Sequence, residues 1–287
     1  MKNIKKYMIK VCLSHDIDRI DKSYQYITKP LRALKSGNFK LFFRHLISPF
    51  THPHPYWGFD TIMEIEKSFG ARSTMFFLNE SIGPEFSKPK SWKLAFGRYD
   101  IHDKRIVNVI KKLEADGWEI GIHGSYNSYK DYELLKREKE VLEGIVGHPI
   151  RGIRQHYLNT SESTWEIQNK VGLKYDSSWG HTKDIGYKEG KILPFFPIEG
   201  SDFCEIPMTI MDGPFSEAED RWGRFMEIIE ETERTGGYLV INYHNNNFDC
   251  FDNPGFKEDY IRMLEILHGR GAKFMTLGEA YEMIIAN

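Results

Sequence analysis

Leu13-Ser14-His15-Asp16-Ile17-Asp18 is the stretch on which the fold of this chain turns. It follows an apolar, β-prone run at residues 7–12, the pattern of a buried strand. Two carboxylates, Asp16 and Asp18, therefore stand where the first strand is expected to stop. In a parallel α/β protein that edge is where sites are built. Two acids one residue apart suit a division of labour, one binding a cation and the other taking a proton. Asp also caps turns and helix starts, so the rest of the chain decides between the two readings.

Working outward, strand and helix patterns alternate. Helical spacing of Ile62, Ile65 and Phe69 predicts a helix capped by Asp60 and stopped by Gly70. Buried strands are expected at residues 72–78, 118–122, 150–153, 238–243 and 273–275. Amphipathic helices are expected between them, with Gly117, Gly172 and Gly236 as stops. Residues 80–101 read as a loop, and residues 175–214 are turn-rich with no clear period. Such alternation implies a parallel sheet with helical crossovers. The ionisable residues gather just past the strands: His123, Arg154, His156 and His244 join Asp16 and Asp18. A barrel would bring them to one rim. Core histidines have no reason to prefer that position.

Composition sets the outer bounds. The chain has 287 residues, a length common for α/β barrels, with 40% hydrophobic and 28% charged residues. A net charge of -2 argues against a general nucleic-acid binder. Cys12, Cys204 and Cys250 are too far apart for a zinc ribbon or a disulfide framework. Lys2, Lys5, Lys6 and Lys10 precede no secretory h-region, and no membrane-spanning run follows, so a cytoplasmic location is expected.

One segment departs from the rest. Residues 19–50 carry seven Lys or Arg against one acid, Asp21, with Phe and Tyr interleaved. Two readings stand: a helical excursion packed on the domain, or an arm for a phosphate-bearing substrate or the anionic inner face of a membrane. His52 and His54 flank Pro53 and are followed by Pro55, which predicts an irregular loop. His45, His102, His148, His181 and His268 are expected at the surface, in loops or at helix ends.

Five short motifs, in order, give the chain a family resemblance. They are Ser-His-Asp-Ile-Asp at 14–18, Gly-Ile-His-Gly-Ser-Tyr-Asn at 121–127, Arg-Gln-His-Tyr-Leu at 154–158, Tyr-Asp-Ser-Ser-Trp at 175–179 and Ile-Asn-Tyr-His at 241–244. The set resembles the polysaccharide deacetylases of the NodB-homology, carbohydrate esterase family 4 type, in their surface-polysaccharide (O-antigen or capsule) branch. The resemblance implies a single-domain α/β fold over residues 1–287, a distorted, seven-stranded TIM-like (β/α) barrel with residues 19–50 inserted. It implies an N-deacetylase that uses one divalent metal on an amino sugar or glycan, free or phosphate- or lipid-linked. By the same resemblance Asp16 is the base, Arg154 its holder and His244 the acid that protonates the leaving amine. Asp18 and His123 are metal ligands, and the Tyr157 backbone N–H faces the oxyanion.

The second metal histidine of the family falls at Asn127 here. An amide oxygen binds zinc-like ions more weakly than imidazole, so a loosely held metal is expected, completed by Asn127 or by His156. His156 stands where the family often has proline, and it is read as a substrate contact, a ligand or a packed ring. The rival functions are a deformylase acting on a lipid-linked amino sugar and a glycan-binding barrel without turnover.

Overall fold

The computed structural model describes residues 6–52, 54–83, 86–87 and 89–286. Lys2, Lys5 and Pro53 lie outside them. The first strand, β1 (Lys10–Ile17), leads into a helical hairpin of α1 (Gln25–Lys35) and α2 (Phe39–Thr51). There follow α3 (Phe59–Ser68), β2 (Thr74–Leu78), α4 (Pro89–Gly97), α5 (Lys104–Ala115), β3 (Glu119–Gly124), α6 (Tyr132–Val146) and β4 (Gly152–Gln155). The second half holds α7 (Thr164–Lys170), β5 (Tyr175–Asp176), β6 (Cys204–Glu205), β7 (Ile210–Met211), α8 (Asp212–Glu217) and α9 (Arg221–Thr235). It closes with β8 (Tyr238–Asn242), α10 (Phe256–Gly269), β9 (Lys273–Met275) and α11 (Leu277–Ile285).

Among the described residues all pairs of these strands are parallel, in the order β6-β5-β4-β3-β2-β1-β8-β7, with β9 beside the start of β1. The two ends of this sheet are one piece of chain. Within residues 204–211 the Ile206 and Met208 N–H groups donate to Asp176 and Trp179 carbonyls on the β5 side. Thr209 then donates to the Val240 carbonyl of β8. Counted once, that run closes a distorted barrel of seven staves, with β9 as an eighth strand beside the start of β1.

Side-chain alternation sorts the sheet into an outside and an inside. Val11, Leu13, Met75, Phe77, Leu239 and Ile241 join the helices in the larger core. Cys12, Phe76, Tyr175, Cys204 and Val240 form a second core, into which Leu277 and Tyr281 of α11 pack. A Cβ at Gly121 would lie 2.6 Å from the Phe76 ring, and one at Gly152 would lie 2.1 Å from Tyr175. These glycines leave room for two aromatic rings in a narrow barrel. Further along the strands the same face turns polar, with Ser14, Asp16, His123, Arg154 and Asn242 all buried.

Several sequence expectations move. Strand β1 runs through Ile17, so Asp16 lies inside it, in register with Phe76. Ser14, His15 and Asp16 break the apolar pattern but are buried with their hydrogen bonds met inside the protein. His123 and Arg154 likewise lie within β3 and β4. Helix α3 starts from Gly58, leaving Asp60 in its first turn. Residues 80–101 contain α4, and the turn-rich residues 175–214 contain three two-residue strands, too short to show a period. His45 is buried.

Candidate metal centre and active site

Asp16, Asp18, His123, His156 and His244 line one cavity of about 280 Å³, together with Arg19, Tyr157 and Met211. A larger depression of about 550 Å³ lies at the opposite end of the barrel and contains none of the five. Five of the six residues expected to converge therefore do so, while Arg154 lies buried beneath them.

Arg154 is fully buried and holds Asp16 in place. Its Nε and Nη2 donate to the Ser177 carbonyl (2.8 Å) and hydroxyl (3.0 Å). Its Nη1 donates to Ser14 Oγ (2.8 Å), Asn242 Oδ1 (2.8 Å) and Asp16 Oδ1 (3.1 Å). Asn242 in turn donates to Asp16 Oδ2 at 2.7 Å. Both carboxylate oxygens are thus held. Burial pushes the Asp16 carboxyl up, but His123, Arg154 and His244 outweigh it and leave it below its ordinary value. The Tyr-Asp-Ser-Ser-Trp motif acts here through Ser177. Its Asp176 is instead buried beside Glu205, the residue in register with it.

Asp18, His123 and His156 bring ligand-type atoms within 4.8 Å of one another. His123 donates Nδ1–H to the Arg154 carbonyl (2.9 Å), which leaves Nε2 toward Asp18 Oδ1 at 3.1 Å. That is the tautomer a metal-binding imidazole adopts, with its other nitrogen tied to a carbonyl. His156 Nε2 lies 3.6 Å from Asp18 Oδ2. Asp18 Oδ1 and His156 Nδ1 are buried without a hydrogen-bond partner. A carboxylate and two imidazoles are a zinc-type donor set, and the buried Asp18 Oδ1 without a hydrogen bond fits a cation held there. Burial raises the Asp18 carboxyl, yet His156 and His123 pull it well below the usual carboxylate range. Asn127 precedes a 3-10 turn at Ser128–Lys130 and is not among the residues that line the cavity. The third side chain brought to Asp18 and His123 is that of His156.

His244 follows β8, and Asp212 follows β7 on the neighbouring strand. Asp212 Oδ2 accepts the His244 backbone N–H (2.7 Å), and Oδ1 accepts the ring Nδ1–H (2.9 Å). Asn247 and the Gly213 N–H fix the carboxylate. Burial lowers the His244 imidazole, but Asp212, Asp18 and Asp16 raise it to about 10. The other ring nitrogen, Nε2, lies 3.8 Å from Asp18. Tyr157 and Leu158 have φ of 58 and 53, left-handed values that bulky residues rarely hold outside constrained sites.

Asp212, Asn242, Ser14 and Ser177 escaped the sequence reading. Ser14, Ser177 and Asn242 sit inside three of the quoted motifs, so position alone could have flagged them. Asp212 follows the apolar pair Ile210-Met211, the sole trace of its strand.

No family model and no curated protein matches the chain. Solved structures do. A Mycobacterium smegmatis protein assigned as a polysaccharide deacetylase aligns over 100% of this chain and 93% of its own, with TM-score 0.60 and 15% identity. The PuuE allantoinase aligns over 96% and 89%, with TM-score 0.61 and 14% identity. A Pseudomonas aeruginosa protein assigned as a polysaccharide deacetylase aligns over 96% and 90%, with TM-score 0.59 and 14% identity. The chain therefore has the distorted parallel barrel fold of the polysaccharide deacetylase structures, which this allantoinase shares.

Proposed function

We propose that the chain is a metal-dependent hydrolase that removes an N-acetyl group from an amino sugar of a surface polysaccharide or its precursor. One observation carries the reading. A held carboxylate (Asp16), a cation-type donor set (Asp18, His123, His156) and a held imidazole (His244) share one small cavity. When bound, a divalent ion supplies Lewis-acid polarisation and lowers the pKa of adjacent water.

The chain's own groups do the proton work. Asp16 accepts a proton from the water that attacks the acyl carbon, with Arg154 and Asn242 keeping its lone pairs aimed. Backbone N–H at Tyr157 faces the developing oxyanion, in keeping with the left-handed turn there. His244, held protonated by Asp212, gives its proton to the amide nitrogen as the C–N bond breaks. The oxygen of water ends in acetate and the sugar leaves as an amine. At the mouth, the half-exposed Tyr157 ring offers a stacking face for a sugar.

The test is product release from an N-acetylated oligosaccharide by zinc- or cobalt-loaded protein. Acetate and a new amine in equal amounts support the reading. Formate from an N-formylated sugar, with no acetate, would replace it with a deformylase.

A further inference from the structure

In the hairpin α1–α2, helix α2 turns its polar side inward and both helices leave apolar stripes outward. On α2 the buried residues are His45 and Ser48, whereas Phe39, Phe43, Leu46 and Phe50, at helical spacing, are exposed. Phe50 is 89% exposed. On α1 Ile27, Leu31 and Leu34 make a second exposed stripe, over buried Gln25, Pro30 and Ala33. A helix packed only for its own domain has the reverse pattern.

Polar groups fix the hairpin to the barrel. Lys22 and Tyr56 donate to the Asp252 carboxylate at 2.9 and 2.8 Å, and Lys29 donates to the Asp252 carbonyl at 3.0 Å. His45 lies against the same carboxylate at 3.5 Å, with its ring edge on Phe251. The apolar stripes are thus left over once the inner contacts are made. A second exposed aromatic group, Phe86 and Phe96, adjoins the foot of α1, where Ser23 donates to the Phe96 carbonyl (2.7 Å).

Charge selects what covers this face. No acid occurs from residue 22 to residue 59, and Arg32, Lys35, Lys40 and Arg44 are exposed on the two helices. A second copy of the chain would bring like charges together. An anionic bilayer offers headgroups for the cations and acyl chains for the phenylalanines. No helix among the described residues is long and apolar enough to cross a membrane, so the hairpin would lie in the interface. We propose that α1–α2 docks the protein on anionic lipid bilayers. This proposal is independent of the reaction assigned to the cavity.

The experiment is co-sedimentation of the full chain with phosphatidylcholine vesicles, with and without about a third phosphatidylglycerol. Retention on the anionic vesicles alone, reversed by salt, is expected. Lys35→Gln with Lys40→Gln should weaken it by about thirtyfold, from the known worth of a basic residue near such a surface. Phe43→Ser with Phe50→Ser should weaken it by about tenfold or more. Melting temperatures equal to wild type show that both variants fold. Failure to sediment with anionic vesicles, or equal binding to neutral ones, overturns the proposal. A dimer in analytical ultracentrifugation that the Phe43→Ser, Phe50→Ser variant splits also overturns it, by assigning the face to a second copy.

Discussion

His15 and Glu66 meet at 2.8 Å, both with fully buried side chains. His15 sits beside Asp16 on β1 but points the other way, and its Nδ1–H reaches the Tyr243 carbonyl at 2.8 Å. Glu66 also accepts from Ser73 (2.9 Å), Trp118 (2.6 Å) and Tyr260 (2.8 Å). This network ties α3, α10 and the chain beside β3 and β8 to the strand that carries Asp16. Glu66→Ala would strand several buried donors at once. A loss of about 3–5 kcal/mol is expected in denaturant unfolding. An unchanged midpoint would show that the network adds no stability.

Asp212 is a positioning residue for His244. Asp212→Asn keeps an acceptor near Nδ1 but removes the charge that holds the imidazole protonated. Acetate release should fall about a hundredfold in kcat with little change in KM. A change confined to KM would place Asp212 in substrate binding instead.

Asp16→Asn and His244→Ala should each lower turnover by about a hundredfold or more. Their stabilities should part. Asp16 is the carboxylate facing fully buried Arg154, so its replacement leaves a buried charge unpaired and should cost about 3–5 kcal/mol. His244→Ala leaves the buried Asp212 carboxylate its bonds from the Gly213 and residue-244 backbone N–H groups and from Asn247, so it should cost less. Equal melting temperatures for the two variants would contradict the Arg154 assignment.

Glu138 makes stability depend on pH away from the cavity. Burial pushes its carboxyl up to about 7 from an ordinary 4.5, against the Ser125 groups that lower it. The folded state thus holds a proton that the unfolded chain releases. Stability should fall as pH rises from about 4.5 to about 7, by about 3 kcal/mol, and then level off. Glu138→Gln should remove that fall, making the variant more stable than wild type at about pH 8 and similar at about pH 4. Parallel stability curves for the two proteins would refute this.

The outline of this fold was legible because parallel strands buried on both faces leave continuous apolar runs, as at 238–243. The strand-end histidines and acids were legible for the same reason, since they interrupt those runs. Two kinds of feature were hidden. Strands β5, β6 and β7 have two residues each and carry no period, so Asp212 and its hold on His244 had no visible frame. Residues that act through others, such as Glu66 on α3, look in the sequence like ordinary charges on a helix. His156 was visible as a candidate, but only folding brings it, four residues after β4 began, against Asp18 and His123.

The most direct test of the cation site is zinc binding to metal-free protein by isothermal titration, comparing wild type, His156→Ala and Asn127→Ala. One site is predicted for wild type, tighter than expected from Asn127 alone because His156 supplies the second imidazole. His156→Ala should weaken it by about a hundredfold or more, while Asn127→Ala should leave Kd within about twofold. Loss of binding in Asn127→Ala with retention in His156→Ala would contradict the assignment.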